Sequence, residues 1–252
     1  QSGVSFLYFE KISSDTLKIN DDFIKDIVNS KNIEDIKLSA DKIKKDTNVE
    51  NITYAMLSGS VLESKIPNIF TTYSEEWQNL YHKNNFIKDD PTVKAAFHRA
   101  LPTGWNEIKC ETSREKRIMS AFREYELGEA GLILPLRGLR GEFGILTITG
   151  PSKNLVDNRS QYARLFSQVG TCLHEWFAQQ AGLRTVTEIP KLSLRETQCL
   201  ALYAEGYMGQ KVAEKLKISE AAVRLYLTSA RHKLLSQTTC GAVATAIRLG
   251  FI

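Results

Sequence analysis

Apolar positions recur every three or four residues along several stretches of this chain and alternate along others. Residues 21–30 (DDFIKDIVNS) and 32–46 (NIEDIKLSADKIKKD) read as amphipathic helices, the second carrying Ile33, Ile36, Ala40 and Ile43 near helical spacing. NITYAML (51–57) alternates and is rich in β-branched and aromatic residues, which predicts a strand. Tyr73, Trp77 and Tyr81 stand four residues apart, so a helix reaching about Lys83 would stack them on one face. In DDP (89–91) the aspartate suits an N-cap and the proline the first helical position, which predicts a further helix over 91–101. Residues 129–138 and 141–150 read as two strands, and the GLR stretch at 138–140 suits an antiparallel hairpin connection.

The longest periodic segment is 157–180, with Asp157 placed to cap it. Its stripe of Tyr162, Leu165, Phe166, Val169, Cys172, Leu173, Trp176 and Phe177 must be covered, either by the domain's own sheet or by a second copy of the chain. The following stretch has no hydrophobic period and holds a Gly and a Pro, so 182–190 reads as a linker. Four short helices follow. The first, over 193–206, opens on a capping box of Ser193 and Glu196 and stops at Gly206. The others span 210–218, 219–235 and 240–252, and a short turn before the basic third helix gives a helix-turn-helix arrangement.

Composition removes several function classes. The 252 residues include no run of 18 apolar positions, so no membrane partner is expected. Cys110, Cys172, Cys199 and Cys240 are scattered, and the four histidines form no ligand cluster. That argues against a disulfide scaffold or metal site and favours a reducing, cytoplasmic setting. Neither a nucleophile elbow nor a metal-hydrolase motif is present, so no catalytic residue and no cofactor is assigned.

The net charge is +4, and it all lies beyond residue 186, where nine Lys and Arg stand against five Glu. On the third short helix Val223 and Leu227 would face inward and Arg224, Thr228 and Arg231 outward. Arginine and hydroxyl side chains on such a face suit base edges in the major groove, while Lys211 and Lys233 suit phosphates.

The C-terminal pattern LSLRETQCL, Gly206, VAEKL and VRLYL resembles the DNA-binding domain of LuxR-type transcription regulators, with Glu196, Leu200 and Gly206 in its framework positions. Two stretches depart from the family's pattern: Met208 to Lys211, and Gln237 to Thr239. Tyr73, Trp77, Tyr81, Asp90, Pro91, Trp105 and Gly131 resemble the set marking the acyl-homoserine-lactone-binding domain of quorum-sensing regulators. The resemblance implies an α+β fold: an N-terminal α/β/α sandwich around an antiparallel sheet over 1–181, the 182–190 linker, and an all-α four-helix helix-turn-helix domain over 191–252. It implies that Trp77 donates to the lactone carbonyl, Asp90 accepts from the ligand amide N–H, and Tyr73 donates to the amide carbonyl. Tyr81 and Trp105 would form walls, and Thr147 would reach the amide region. A homodimer on double-stranded promoter DNA is expected, and RNA polymerase stands as a further candidate partner. An orphan regulator that binds DNA without ligand, or that senses another small molecule, is the alternative.

Overall fold

The structure, a computed structural model, describes residues 22–57, 69–138, 141–182 and 191–252, which group into two compact units. The 182–190 linker, apart from Gly182, and Leu139 and Arg140 of the hairpin connection lie outside the described residues.

The first unit is built on a five-stranded sheet of order β2-β1-β5-β4-β3. Its strands are β1 (Asn51–Met56), β2 (Ile69–Thr71), β3 (Thr103–Gly104), β4 (Ala130–Arg137) and β5 (Phe143–Gly150). β1 pairs antiparallel with β2, setting Thr53 opposite Thr71, and β3 pairs antiparallel with β4, setting Gly104 opposite Leu132. The amide of Gly138 donates to the Glu142 carbonyl at 2.8 Å and closes the β4–β5 hairpin.

Side chains alternate between the two faces of a strand, and the two faces have different covers. One face meets α6 (Arg159–Gln180): Tyr54 Oη lies 2.7 Å from His174 Nδ1. Gly170 lets Leu136 and Leu146 come so close that a Cβ there would stand 3.1 Å from each. α1 (Asp22–Asn29) and α2 (Ile33–Thr47) flank α6, held by Trp176 Nε1 donating to the Ser30 carbonyl and Tyr162 Oη to that of Thr47. On the other side of the sheet lie α3 (Glu75–Lys83), α4 (Pro91–His98) and α5 (Ser113–Glu124). The layers are helices, sheet, helices, as expected for the sandwich.

Several local details differ from the sequence-based expectation. α6 starts at Arg159, because Lys153–Asp157 winds into a wider π turn that contains Asp157. α4 stops at His98, after which Arg99 turns extended. The α6 stripe is covered within this chain: Tyr162, Leu165, Phe166, Val169, Leu173, Trp176 and Phe177 are all buried, while Arg164, Gln168 and Thr171 face out.

The second unit contains α7 (Leu194–Ala204), α8 (Gly209–Leu216), α9 (Glu220–Lys233) and α10 (Thr239–Arg248). Cys199, Leu200, Val212, Val223, Leu227, Ala230, Ala242 and Ala246 form their shared core. The capping box predicted for α7 is present, and Gly206 follows the helix at φ 89°, a conformation costly to residues with a Cβ. Glu196, only 3% exposed, also ties α7 to α9: it accepts from Ser229 Oγ at 2.6 Å and pairs with Lys233 Nζ at 2.8 Å. Burial opposes its charge, but hydrogen bonds from Lys233, Ser229 and Ser193 outweigh it and hold the carboxyl down at about 2.

Candidate functional site

Tyr73, Trp77 and Tyr81 are brought together, but only Trp77 and Tyr81 share a face of α3, because the helix expected from Tyr73 starts at Glu75. Ser74 caps α3 by accepting from the Trp77 amide at 3.3 Å, so Tyr73 stands at the helix entrance. Tyr73 is fixed from the sheet: its amide donates to Thr71 Oγ1 at 3.1 Å, and Thr71 Oγ1 lies 2.7 Å from Thr53 Oγ1. Trp77 is buried in a nest of rings, with Phe122 edge-on at 5.3 Å, Tyr125 at 5.4 Å, and Tyr81 and Phe86 beyond. Trp105 comes from a separate 3₁₀ turn (Trp105–Glu107) and lies against Phe122 with ring centroids 4.9 Å apart. It can do so only because β4 has a glycine beneath it: a Cβ at Gly131 would stand 2.1 Å from the indole Cε2. Trp105 Nε1 is buried without a hydrogen-bond partner, a cost of about 1–3 kcal/mol.

Asp90 has two jobs at one place. Oδ1 caps α4, accepting from the Thr92 amide at 2.8 Å and Thr92 Oγ1 at 2.6 Å, with Pro91 buried at the first helical position. Oδ2 accepts from Tyr81 Oη at 2.8 Å and retains acceptor capacity for one more N–H. Burial pushes the Asp90 carboxyl up, against the hydrogen bonds from Thr92 and Tyr81. The Tyr81 phenol is also pushed up, first by burial and then by the Asp90 charge, so it stays a protonated donor. Tyr81 was expected as a wall, and its hydroxyl in addition orients the carboxylate.

The sheet face beneath these groups carries hydroxyls. Burial raises the Tyr73 phenol, while hydrogen bonds with Thr149 and Thr53 pull the other way. Thr149 Oγ1 also donates to the Leu127 carbonyl and accepts from Asn51 Nδ2 at 3.3 Å. Thr147, half-buried, is two residues before Thr149 and so shares its face. The sequence alone does not single out Thr53, Thr71 and Thr149, which come from three different strands; the alternation of Thr147 and Thr149 along β5 is the one legible signal among them. An aromatic roof, one buried carboxylate and a hydroxyl-bearing floor suit a small molecule with an amide and an apolar tail. Among the described residues no group of His, Cys, Asp and Glu could hold a metal ion, and no helix is long and apolar enough to cross a membrane.

The second candidate surface is α9. Arg224 and Thr228 are exposed; Arg224 Nη1 lies 3.8 Å from Glu220 of the preceding turn. Arg231 donates to the Gln237 carbonyl at 3.3 Å. Lys211 lies at the surface of α8 beside Glu214. Lys233, expected at a phosphate, is engaged by the buried Glu196.

Comparison with known proteins matches two regions of the chain to known families. The autoinducer binding domain matches residues 32–176, and the bacterial regulatory proteins of the luxR family match residues 190–246. The transcriptional activator protein RaiR of Rhizobium etli is 32% identical over 69% of this chain and 72% of its own length. The crystal structure of Escherichia coli SdiA covers 92% of this chain and 96% of its own at a TM-score of 0.57 and 17% identity, which shows a shared fold. A structure of SdiA in complex with octanoyl-rac-glycerol covers 90% of this chain and 93% of its own at a TM-score of 0.52 and 16% identity.

Proposed function

This chain belongs to the luxR family of bacterial regulatory proteins, and as a transcription regulator with an autoinducer-binding and a DNA-binding domain it is one for which we propose an acyl-homoserine lactone as the signal. The observation that carries the reading is the buried Asp90 carboxylate, oriented by Tyr81 and framed by Trp77, Tyr73 and Trp105. An amide N–H of the ligand would donate to Asp90 Oδ2. Tyr73 would donate to the amide carbonyl, Trp77 to the ring carbonyl, and Thr147 would reach the amide region. Tyr81, Pro91 and Trp105 would enclose the lactone. The family consists of regulators, so in this reading the lactone would be sensed and not hydrolysed.

In this reading residues 1–181 bind the signal and dimerise, 182–190 link, and 191–252 bind promoter DNA. A homodimer would present two α9 helices to half-sites about one DNA turn apart. Arg224, Thr228 and Arg231 would face bases, Lys211 would face phosphates, and Lys233 would divide its charge between Glu196 and the DNA backbone. A buried carboxylate short of partners is costly, so ligand would stabilise the fold that dimerises. Ligand at a hundred times its dissociation constant adds about 2.7 kcal/mol to the bound state.

The test is thermal unfolding of the full chain with a panel of acyl-homoserine lactones, repeated for Asp90→Ala and Trp77→Phe. A chain-length-dependent rise in melting temperature, lost in both variants, is the expected result. Absence of any shift, in a protein already stable alone, would leave the alternative, an orphan regulator that binds DNA without ligand or senses another small molecule. A monoacylglycerol belongs in the same panel, because the similar SdiA fold has been solved with octanoyl-rac-glycerol.

A further inference from the structure

The outermost stripe of α9 is apolar at its centre. Val223, Leu227 and Ala230 are buried in the domain core. With 3.6 residues per turn, the positions opposite them are Ala221, Leu225, Thr228 and His232, and all four are exposed. Arg224 and Arg231 lie on one flank of this stripe, and Lys233, turned to Glu196, lies on the other. Leu225 is 71% exposed, so it adds little to the packing of its own domain. An exposed leucine here stands in the middle of the surface that a helix-turn-helix presents to the major groove. The apolar feature a base pair offers in that groove is the C5 methyl of thymine.

We propose that Leu225 is a specificity-determining residue that packs against a thymine methyl group, with the small Ala221 leaving room beside it. The half-site then carries an A·T pair of fixed orientation under the middle of α9, flanked by the positions that Arg224 reads. This rests on α9 being the helix that enters the groove.

Selection from a pool of randomised duplexes, run in parallel with the full chain and with its Leu225→Ala and Arg224→Ala variants, tests it. Each thymine of the selected site is then replaced by deoxyuridine, which keeps the hydrogen bonds of the pair and removes only the methyl. The wild-type chain is expected to lose affinity about fourfold per half-site at one such thymine, the effect of burying one methyl-sized group. Leu225→Ala should keep its melting temperature, bind more weakly, select less strongly for thymine there, and be indifferent to the swap. If wild type tolerates every deoxyuridine, or both proteins respond to the same swap equally, Leu225 does not read a methyl and the proposal fails while the reading of α9 stands. If Arg224→Ala and Leu225→Ala both select the wild-type site with wild-type affinity, α9 is not the reading helix, and both fall.

Discussion

Asp90 shows how one side chain can serve folding and recognition with opposite demands. As a cap it needs only an oxygen, which asparagine also supplies; as a ligand acceptor it needs a buried charge. Its carboxyl is raised above the ordinary value of about 3.9. The folded state therefore holds a proton that the unfolded state releases, so this contribution is complete below about pH 4 and is lost as pH rises through the folded value. Asp90→Asn should flatten that part of the stability–pH profile and leave the unliganded protein at least as stable at neutral pH. The same substitution should abolish the lactone-dependent rise in melting temperature. Gly131→Ala should behave differently, since its Cβ meets the Trp105 ring itself. A loss of about 1–3 kcal/mol is expected, read by denaturant unfolding, together with weaker signal binding. Spacing made the shared helix face of Trp77 and the capping role of Asp90 legible, and the family resemblance supplied their expected place at a ligand. The fit of Trp105 over Gly131 was not, because two residues on different elements become complementary only once the sheet has formed.

At the scale of elements, Glu196 and Lys233 carry the interface between α7 and α9. Lys233→Ala would take one partner from the buried carboxylate, but Lys233 is itself 39% exposed and Ser229 and Ser193 still donate to it, so the C-terminal unit should lose about 1–3 kcal/mol. Lys211→Ala, at an exposed pair, should stay within about 0.5 kcal/mol in stability but reduce the salt dependence of DNA binding by a slope of about 1. Because the Glu196 carboxyl is held down to about 2, its contribution is present above the ordinary glutamate value of about 4.3 and drains away as pH falls toward 2. Acid titration of Glu196→Gln should show a less stable unit at neutral pH whose stability no longer falls over that range. The capping box that made α7 legible also opens α5, where Thr112 and Glu115 exchange the same bonds. α5 escaped the sequence reading because SREKR, at its start, hides the apolar face of Ile118, Ala121 and Phe122. Glu115 is secured from α4 as well, by Lys94 Nζ at 2.8 Å.

For the whole molecule, the sandwich and the helix-turn-helix unit were expected from the family resemblance, and the hairpin from two strand-like stretches joined by the short Gly-containing connection at 138–140. The strand order was not legible, since placing β5 between β1 and β4 joins segments almost a hundred residues apart. The charge asymmetry was legible, and it concerns partners more than fold. The long α6 stripe could have served either a core or a second copy; in the structure it is spent on the chain's own core. The proposed dimer would then use other residues, and the exposed polar face around Arg164, Gln168 and Thr171 is one surface to test. Replacing Thr171 by arginine should leave the melting temperature of dilute protein within about 1 °C, given the small cost of most surface substitutions. Sedimentation would show whether that face holds two copies together.

The three tryptophans have a practical consequence. Trp77, Trp105 and Trp176 all precede residue 182, and residues 191–252 contain none. Two of them touch the same ring, Phe122, beside the proposed signal site, while the indole N–H of the third is held by the Ser30 carbonyl at 2.7 Å. Intrinsic tryptophan emission is therefore a reporter of the signal-binding unit alone, built in without any label. Tyr203, Tyr207 and Tyr226 remain for the DNA-binding unit, whose helices dominate its circular dichroism. Dichroism in turn follows the helices of both units, α1 to α6 and α7 to α10, so one sample, followed by emission and by dichroism during the same heating ramp, sets the melting of the signal-binding unit against that of the whole chain, and a signal that moves both midpoints together is felt beyond the half that captures it.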